Sequence, residues 1–211
     1  MIKNIKDKSI LVLAPHTDDG EFGCGGTLDK FIRLGNNITY VAFSSCDSST
    51  PEGFPVGTLR EEVRRATDVL GIKDLRICEY DVRYFSYKRQ DILEDMVKLN
   101  KELKPWLVLT PASSDFHQDH QVIYNESIRA FKQSNVLGYE LPWNTIQMNT
   151  TCFSSLDEVN INTKVKAVLE YKSQYFRAYY SEEFVRSLAI TRGTQIGSRF
   201  AEAFEVIRWI I

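Results

Sequence analysis

Short apolar runs alternate with amphipathic segments through the first two thirds of the chain, and this alternation narrows the possible folds more than any other feature. The runs are SILVLA at Ser9–Ala14, ITYVAF at 38–43, a shorter one at 75–80, and WLVLT at 106–110. Between them, residues 25–34 have helical apolar spacing and stop at Gly35. TLREEVRRATDVL at 58–70 is amphipathic and stops at Gly71, and 90–103 ends before Pro105. A continuously apolar strand is buried on both faces, and successive parallel strands need a helical crossover between them. The pattern therefore predicts an α/β fold, a Rossmann-like, mostly parallel sheet with helices on both faces. Further on, 137–139 reads as strand, 163–176 and 182–191 as helices, and 203–211 as a terminal strand. The 211 residues are enough for one such unit and short for two; with no repeat or linker in sight, a single domain over 1–211 is expected.

Composition excludes several classes of partner. The formal net charge is -2 and the basic residues are dispersed, so no electrostatic footprint for nucleic acid exists. No apolar run approaches the roughly 18 residues of a membrane span. The apolar run near the N-terminus is too short for the core of a signal peptide, which makes a cytoplasmic protein the expectation. The four cysteines, Cys24, Cys46, Cys78 and Cys152, form no Cys-x-x-Cys pair, so reduced thiols are expected rather than a zinc ribbon or redox motif. Cys24, flanked by glycines, reads first as a packing residue.

Chemistry concentrates where the first apolar run ends. PHTDDGE at 15–21 crowds His16, Asp18, Asp19 and Glu21 together, and desolvating such like charges costs several kcal/mol each unless a positive centre sits among them. The chain has three histidines. The other two belong to HQDH at 117–120, again just beyond an apolar strand. Alone, each cluster reads as a solvated His–Asp pair or an ordinary turn. Together, they place every histidine in two loops that a parallel sheet brings to its carboxyl edge, where α/β proteins bind ligands. A divalent ion resolves the crowding. Catalytic zinc sites use three protein ligands from His, Asp, Glu and Cys and keep one position for water. Two imidazoles and one carboxylate leave a net positive centre that brings the pKa of bound water toward about 7, with a second aspartate available as general base.

The stretches PHTDDGEFGCGGTL (15–28) and HQDH (117–120) resemble the LmbE/PIG-L family of zinc-dependent N-acetyl-sugar deacetylases. Weaker echoes follow in family order at REEVRRATDVLG (60–71), YKSQ (171–174) and RGTQIGSRFAEAFEVIR (192–208), so the resemblance spans nearly the whole chain. It implies that His16, Asp19 and His120 bind the metal and that Asp18 is the general base. It also implies that His117 stabilises the oxyanion and protonates the leaving amine, and that Asp119 orients His117. Arg60, Arg192 and Glu202 match recurring family positions, with Arg60 and Arg192 as candidate substrate contacts and a cap, ion pair or packing role equally open for each. The implied cofactor is Zn2+, with Fe2+ or another divalent ion compatible with the same donors. The implied partner is a small N-acetylated sugar, with no nucleic acid and no membrane span; relatives commonly form homo-oligomers. Two positions depart from the family pattern: Thr17 stands where proline is common and Gly20 where glutamate is common. Neither supplies a ligand, and Glu21 is placed to take over the missing glutamate's supporting role.

Three other readings use the same residues. One is a zinc amidase of the same fold acting on a non-sugar amide. Another is an iron(II) oxygenase, whose two-histidine, one-carboxylate triad is similar, but such enzymes usually sit on all-β jelly rolls and leave Asp18 and His117 without work. The third is an inactive sugar-binding protein, against which the intact ligands and base count. Trp143 and Tyr139 in YELPWN are candidate aromatics against a sugar. GCGG at 23–26 reads as close backbone packing rather than a phosphate cradle.

Overall fold

The computed structural model describes residues 5–211. Strands β1 (Ser9–Ala14), β2 (Asn37–Ala42), β3 (Asp74–Ile77), β4 (Leu107–Pro111) and β5 (Asn135–Tyr139) run parallel. With β6 (Cys152–Leu156) and β7 (Phe200–Arg208) they form one seven-stranded sheet in the order β3-β2-β1-β4-β5-β7-β6, in which β7 is antiparallel to both its neighbours. The helices are α1 (Asp19–Arg33), α2 (Thr58–Leu70), α3 (Arg89–Leu103), α4 (Gln118–Ala130), α5 (Glu158–Val168) and α6 (Glu182–Thr194). Among the described residues, no helix is long and apolar enough to cross a membrane.

Strand β1 shows why the first run is uninterrupted. Ile10, Val12 and Ala14 pack with Leu28 of α1, Val63 and Ala66 of α2 and Val165 of α5. Leu11 and Leu13 point the other way, into a cluster with Ile92 and Met96 of α3 and Val122 and Ile123 of α4. Alternate side chains of one strand thus fill two cores, and each face of the strand demands apolar residues. From β1 the chain winds outward through β2 to β3, then returns to β1's other flank as β4, with Ile10 opposite Leu107 and Val12 opposite Leu109. The order reverses between β1 and β4, which opens a crevice beyond their carboxyl ends. Both histidine motifs leave the sheet at this point.

Several elements differ from expectation for identifiable reasons. Helix α1 starts at Asp19 rather than 25, because a first turn precedes a kink at Cys24, where φ is -147° and ψ 15°. Past the kink, the N–H groups of Gly26 and Thr27 donate to the carboxylate of Glu202 at 2.9 and 2.7 Å, and Lys164 Nζ donates to Glu202 Oε1 at 2.6 Å. A buried anion at the restarted helix satisfies donors that would otherwise be orphaned, so Glu202 serves the fold. Cys24 is buried, its Sγ–H donates to the Gly20 carbonyl at 3.2 Å, and burial holds the thiol well above its ordinary pKa, which agrees with packing. All four cysteines are free thiols. HQDH is not a loop: His117 caps α4, and residues 118–120 form its first turn. Helix α5 covers Glu158–Val168 instead of 163–176, set by a reciprocal capping box between Asp157 and Asn160. Lys172–Gln174 is a separate short 3-10 turn. Strand β7 occupies Phe200–Arg208 rather than 203–211, and β6 has no counterpart in the sequence reading.

Candidate active site

The loop after β1 delivers His16, Asp18 and Asp19, while the loop after β4 delivers Asp115, His117, Asp119 and His120. Three donor atoms from these loops meet: His16 Nδ1, Asp19 Oδ2 and His120 Nε2. Their separations are 3.3 Å (His16–Asp19), 3.3 Å (His120–Asp19) and 3.1 Å (His120–His16). A tetrahedral zinc ion with arms of about 2.0–2.1 Å requires ligand-to-ligand edges of about 3.3–3.4 Å, so these atoms already stand at the spacing such an ion would impose. Ring nitrogens of His16, His117 and His120 also lie within 4.8 Å of one another.

Tautomers follow from the surrounding carboxylates, which only accept. Asp119 Oδ2 lies 3.2 Å from His16 Nε2, and Asp115 Oδ2 lies 2.7 Å from His120 Nδ1. Each carboxylate therefore keeps a proton on the outer nitrogen of its ring, so that loss of the inner proton, which an ion would displace, turns a lone pair toward the meeting point, the carboxylate–histidine arrangement that supports metal ligands. His117 is different: its Nδ1 accepts from the backbone N–H of Asp119 at 3.2 Å, which assigns its proton to Nε2 and makes that atom a donor. The expectation that the Asp119 carboxylate orients His117 is thereby corrected. Asp119's backbone holds His117, while its side chain holds His16 and accepts the Arg83 N–H at 2.6 Å. Asp115 was not anticipated from sequence. Its signal was available, since it stands five residues before His120 at the mouth of α4 and also caps the His117 N–H at 2.9 Å.

The electrostatics favour positive charge at the meeting point. Burial drives His16 and His120 toward neutrality, but Asp19 outweighs it, aided by Asp119 for His16 and Asp115 for His120. The two rings hold protons up to about 9 and about 10. Burial pushes Asp19 up, and the His120 and His16 charges more than reverse this, leaving it well below the usual carboxylate range. Asp18 is raised to about 6 by burial and by the neighbouring Asp19 charge. His117 is lowered to about 4 by burial and by the His120 and His16 charges, so it is neutral at pH 7.

Beneath this loop lies a buried polar cluster that explains the glycine at position 20. A Cβ on residue 20 would lie 2.5 Å from Cε2 of Tyr40, so only glycine fits there. The Tyr40 hydroxyl accepts from Gly20 N at 3.1 Å and lies 3.0 Å from the Thr17 carbonyl and 2.5 Å from Glu21 Oε2. Burial raises Glu21 to about 8, so it is protonated at pH 7. The Tyr171 hydroxyl also donates to the Thr17 carbonyl, at 2.7 Å. Tyrosines thus fix the backbone of the ligand-bearing loop where a glutamate is common in relatives. The close-packing reading of GCGG also fits: a Cβ on Gly23 would lie 2.4 Å from the Tyr139 ring.

His16, Asp18, Asp19, His117, His120 and Trp143 line a cavity of about 240 Å³. Trp143 stacks on Tyr179 with ring centroids 3.8 Å apart at 13°. The remaining candidates lie elsewhere. Tyr139 is fully buried, its hydroxyl donating to the Leu13 carbonyl at 3.0 Å. The Arg60 guanidinium is occupied by Asp47 and Glu79, and that of Arg192 by Glu140. Neither arginine lines the cavity, so both are ion-paired in the fold rather than presented to a substrate. Ser49, Arg83, Asn144, Gln174 and Arg177 line the cavity without having been singled out in the sequence.

The family model for GlcNAc-PI de-N-acetylase (PIG-L) matches residues 11–131. An uncharacterized deacetylase, YaiS, of Escherichia coli (strain K12) is 30% identical over 174 residues, which cover 80% of this chain and 92% of that protein. Among solved structures, the N,N'-diacetylchitobiose deacetylase from Pyrococcus horikoshii superposes with a TM-score of 0.78 at 22% identity, covering 95% of this chain and 84% of that one. The 4-carboxy-2-hydroxymuconate hydratase GalB from Pseudomonas putida KT2440 shares the fold with a TM-score of 0.76 at 16% identity, covering 97% of this chain and 98% of its own. The fold alone therefore carries more than one chemistry. With the family model covering more than half of its length and both histidine motifs within or beside the matched stretch, this chain belongs to the PIG-L de-N-acetylase family.

Proposed function

We propose that this protein hydrolyses the acetamide of an N-acetylated sugar, releasing acetate and an amino sugar, with a divalent ion held by His16, Asp19 and His120. The observation that carries this reading is the mutual 3.1–3.3 Å spacing of His16 Nδ1, Asp19 Oδ2 and His120 Nε2, with an unused carboxylate and a neutral imidazole beside them. Zinc is the favoured ion: the two nitrogens and one oxygen suit it, and when bound it would polarise the acetamide carbonyl and acidify a water.

The chain's own residues do the rest. Asp18 lines the cavity, and no other side chain among the described residues is bonded to it. Its basicity, raised by burial, suits it to take a proton from the attacking water. His117 presents Nε2–H to the same cavity and would donate to the developing oxyanion. Because His117 stays neutral, the proton that the departing amine needs is better supplied by Asp18, which has just received one. This moves the second role expected of His117 onto the aspartate. Trp143, stacked on Tyr179, offers an aromatic wall to a sugar ring.

The test is acetate release from a panel of N-acetylated sugars and non-sugar acetamides by zinc-reconstituted protein, with and without chelator. Chelator-sensitive release from sugars is the expected result. Release from non-sugar amides alone would replace the sugar reading with a general amidase. No release from any member would defeat the proposal.

A further inference from the structure

Two of the weaker family echoes in the sequence meet in the structure. Glu62 belongs to REEVRRATDVLG on α2, and Ser173 and Gln174 belong to YKSQ, whose last three residues form the short 3-10 turn after α5. Glu62 is buried and gives both carboxylate oxygens to one residue. Its Oε1 accepts from the Ser173 N–H at 2.9 Å, and its Oε2 accepts from the Ser173 hydroxyl at 2.5 Å. A carboxylate on the inner face of a helix is costly to desolvate, and these two hydrogen bonds are what offset that. They tie the turn to α2. The turn follows directly on Tyr171, whose hydroxyl holds the Thr17 carbonyl at 2.7 Å, next to Asp18, so its place relative to the catalytic loop is fixed as well.

Gln174 carries this turn into the wall of the cavity. Its Nε2 lies 3.3 Å from Ser173 Oγ. A hydroxyl has one proton, and that of Ser173 already goes to Glu62, so toward Gln174 the same oxygen only accepts. The atom facing it is therefore the amide N–H, and the network assigns the orientation of the whole side chain, with Oε1 turned away from Ser173. Gln174 is 9% exposed, and among the described residues no group donates to Oε1. The donor end of the amide is engaged and its acceptor end is not. A carbonyl oxygen left without a partner in so deeply buried a residue, in the wall of a cavity, points to a donor on whatever fills that cavity.

We propose that Gln174 is a specificity-determining residue whose Oε1 accepts a hydrogen bond from a hydroxyl of the sugar ring, and that Glu62 and Ser173 are positioning residues that fix its amide in the accepting orientation. The inference rests on the sugar-deacetylase reading above and adds the group that distinguishes one sugar from another. With the acetamide carbonyl directed at His16, Asp19 and His120, the ring hydroxyls are the donors that differ between sugars, and an acceptor held in one orientation selects for one of them.

The test uses methyl N-acetylglucosaminide and its 3-deoxy, 4-deoxy and 6-deoxy analogues, assayed for acetate release by zinc-loaded wild type, Gln174→Met and Glu62→Gln. Wild type should lose about 10–100-fold in kcat/KM on one deoxy analogue, because that analogue displaces water from Oε1 without replacing its hydrogen bond. Gln174→Met keeps the length of the side chain and removes the acceptor. It should lose a similar factor on the parent glycoside, chiefly through KM, and should no longer distinguish the parent from that analogue. Glu62→Gln touches no substrate. Its new amide N–H can donate to Ser173 Oγ, which releases the hydroxyl proton toward Gln174 and turns that amide round, so the same discrimination should fall with zinc content unchanged. Full discrimination in a folded Glu62→Gln would overturn the positioning role; if that variant does not fold, Gln174→Met decides alone. Wild type that treats all four glycosides alike overturns the proposal. So does a Gln174→Met that loses equally on all four, since its amide would then serve the acetamide N–H or the fold. Acetate release from none of them would count against the deacetylase reading instead. Calorimetry with methyl glucosaminide and its deoxy analogues then decides the residue on its own: weaker binding of one analogue, a difference that Gln174→Met abolishes, supports the proposal, and equal binding or none overturns it.

Discussion

Asp115 Oδ2 stands 2.7 Å from Nδ1 of His120, and both side chains are almost wholly buried. The pair fixes the ring so that Nε2 faces His16 and Asp19, which makes Asp115 a support of the candidate metal centre without touching the ion. Support of this type is worth about 10–100-fold in metal affinity. Asp115→Ala should therefore weaken zinc binding by about that factor in competition with a calibrated chelator, while His120→Ala should lose stoichiometric zinc altogether. A full equivalent of tightly held zinc in His120→Ala would remove that residue from the ligand set.

Asp18 and His117 separate the chemical roles from metal binding. Asp18→Asn should keep its zinc and lose about 10²–10⁴-fold in turnover, the range for a positioned general base. His117→Ala should also keep its zinc and lose about 10²–10³-fold in kcat, the value of one oxyanion donor. Zinc content by elemental analysis and acetate release check both. Metal loss in His117→Ala would instead favour the three-histidine grouping, in which its ring is a ligand.

The parallel half of the sheet was legible because β1, β2 and β4 each send side chains into two apolar cores, which keeps their runs almost wholly apolar. Thr58–Leu70 was read to the residue, since its apolar stripe and the following glycine in the left-handed region at φ +82° are both local signals. Helix α4 was missed for a physical reason. Its buried face carries His120, Glu126 and Ser127 beside Val122 and Ile123, so its inward stripe does not look apolar. Glu126 can be buried there because Arg129, three residues on, and Arg89 of α3 reach it at 2.6 Å each, and the second pairing crosses helices, which no local pattern shows. The ligand motifs were visible as residue types. Which carboxylate serves which ring, Asp115 under His120 and Asp119 under His16, depends on how two loops meet and was not. For Arg60 and Arg192, left open between substrate contact and ion pair, the choice depends on the same thing, because sequence does not show that Asp47, Glu79 and Glu140 pair with them.

Gly20 sits against the ring of Tyr40, which leaves no room for a side chain. Gly20→Ala places a Cβ 2.5 Å from Tyr40 Cε2 in a buried setting, and overpacking of this sort costs about 1–3 kcal/mol. Urea denaturation should show that loss in the single variant. In a Tyr40→Leu background, where the ring is gone, the same substitution should cost much less. Equal costs in both backgrounds would mean that the glycine is required by something other than the tyrosine.

The metal centre should also govern how stability depends on pH. His16 and His120 hold their protons up to about 9 and about 10 in the folded protein, against an ordinary value of 6.5. A group that binds its proton more tightly when folded stabilises the fold fully below its unfolded pKa and loses that contribution as pH rises through the folded value. Chelated protein should therefore melt at progressively lower temperature between about pH 6.5 and pH 10, the window between those unfolded and folded values. Asp19 and Asp119, whose folded pKa values are lowered, are ionised throughout that window and do not offset the loss. Glu21, raised to about 8, adds to the decline in its lower part. Zinc competes with the two ring protons for His16 and His120, so its apparent affinity should climb over the same interval. The increase in melting temperature on adding zinc should climb with it. Thermal melts at stepped pH, with chelator and with zinc, measure both quantities. A zinc-induced shift that stays constant from pH 6.5 to 10 would mean that the two histidines do not hold the ion.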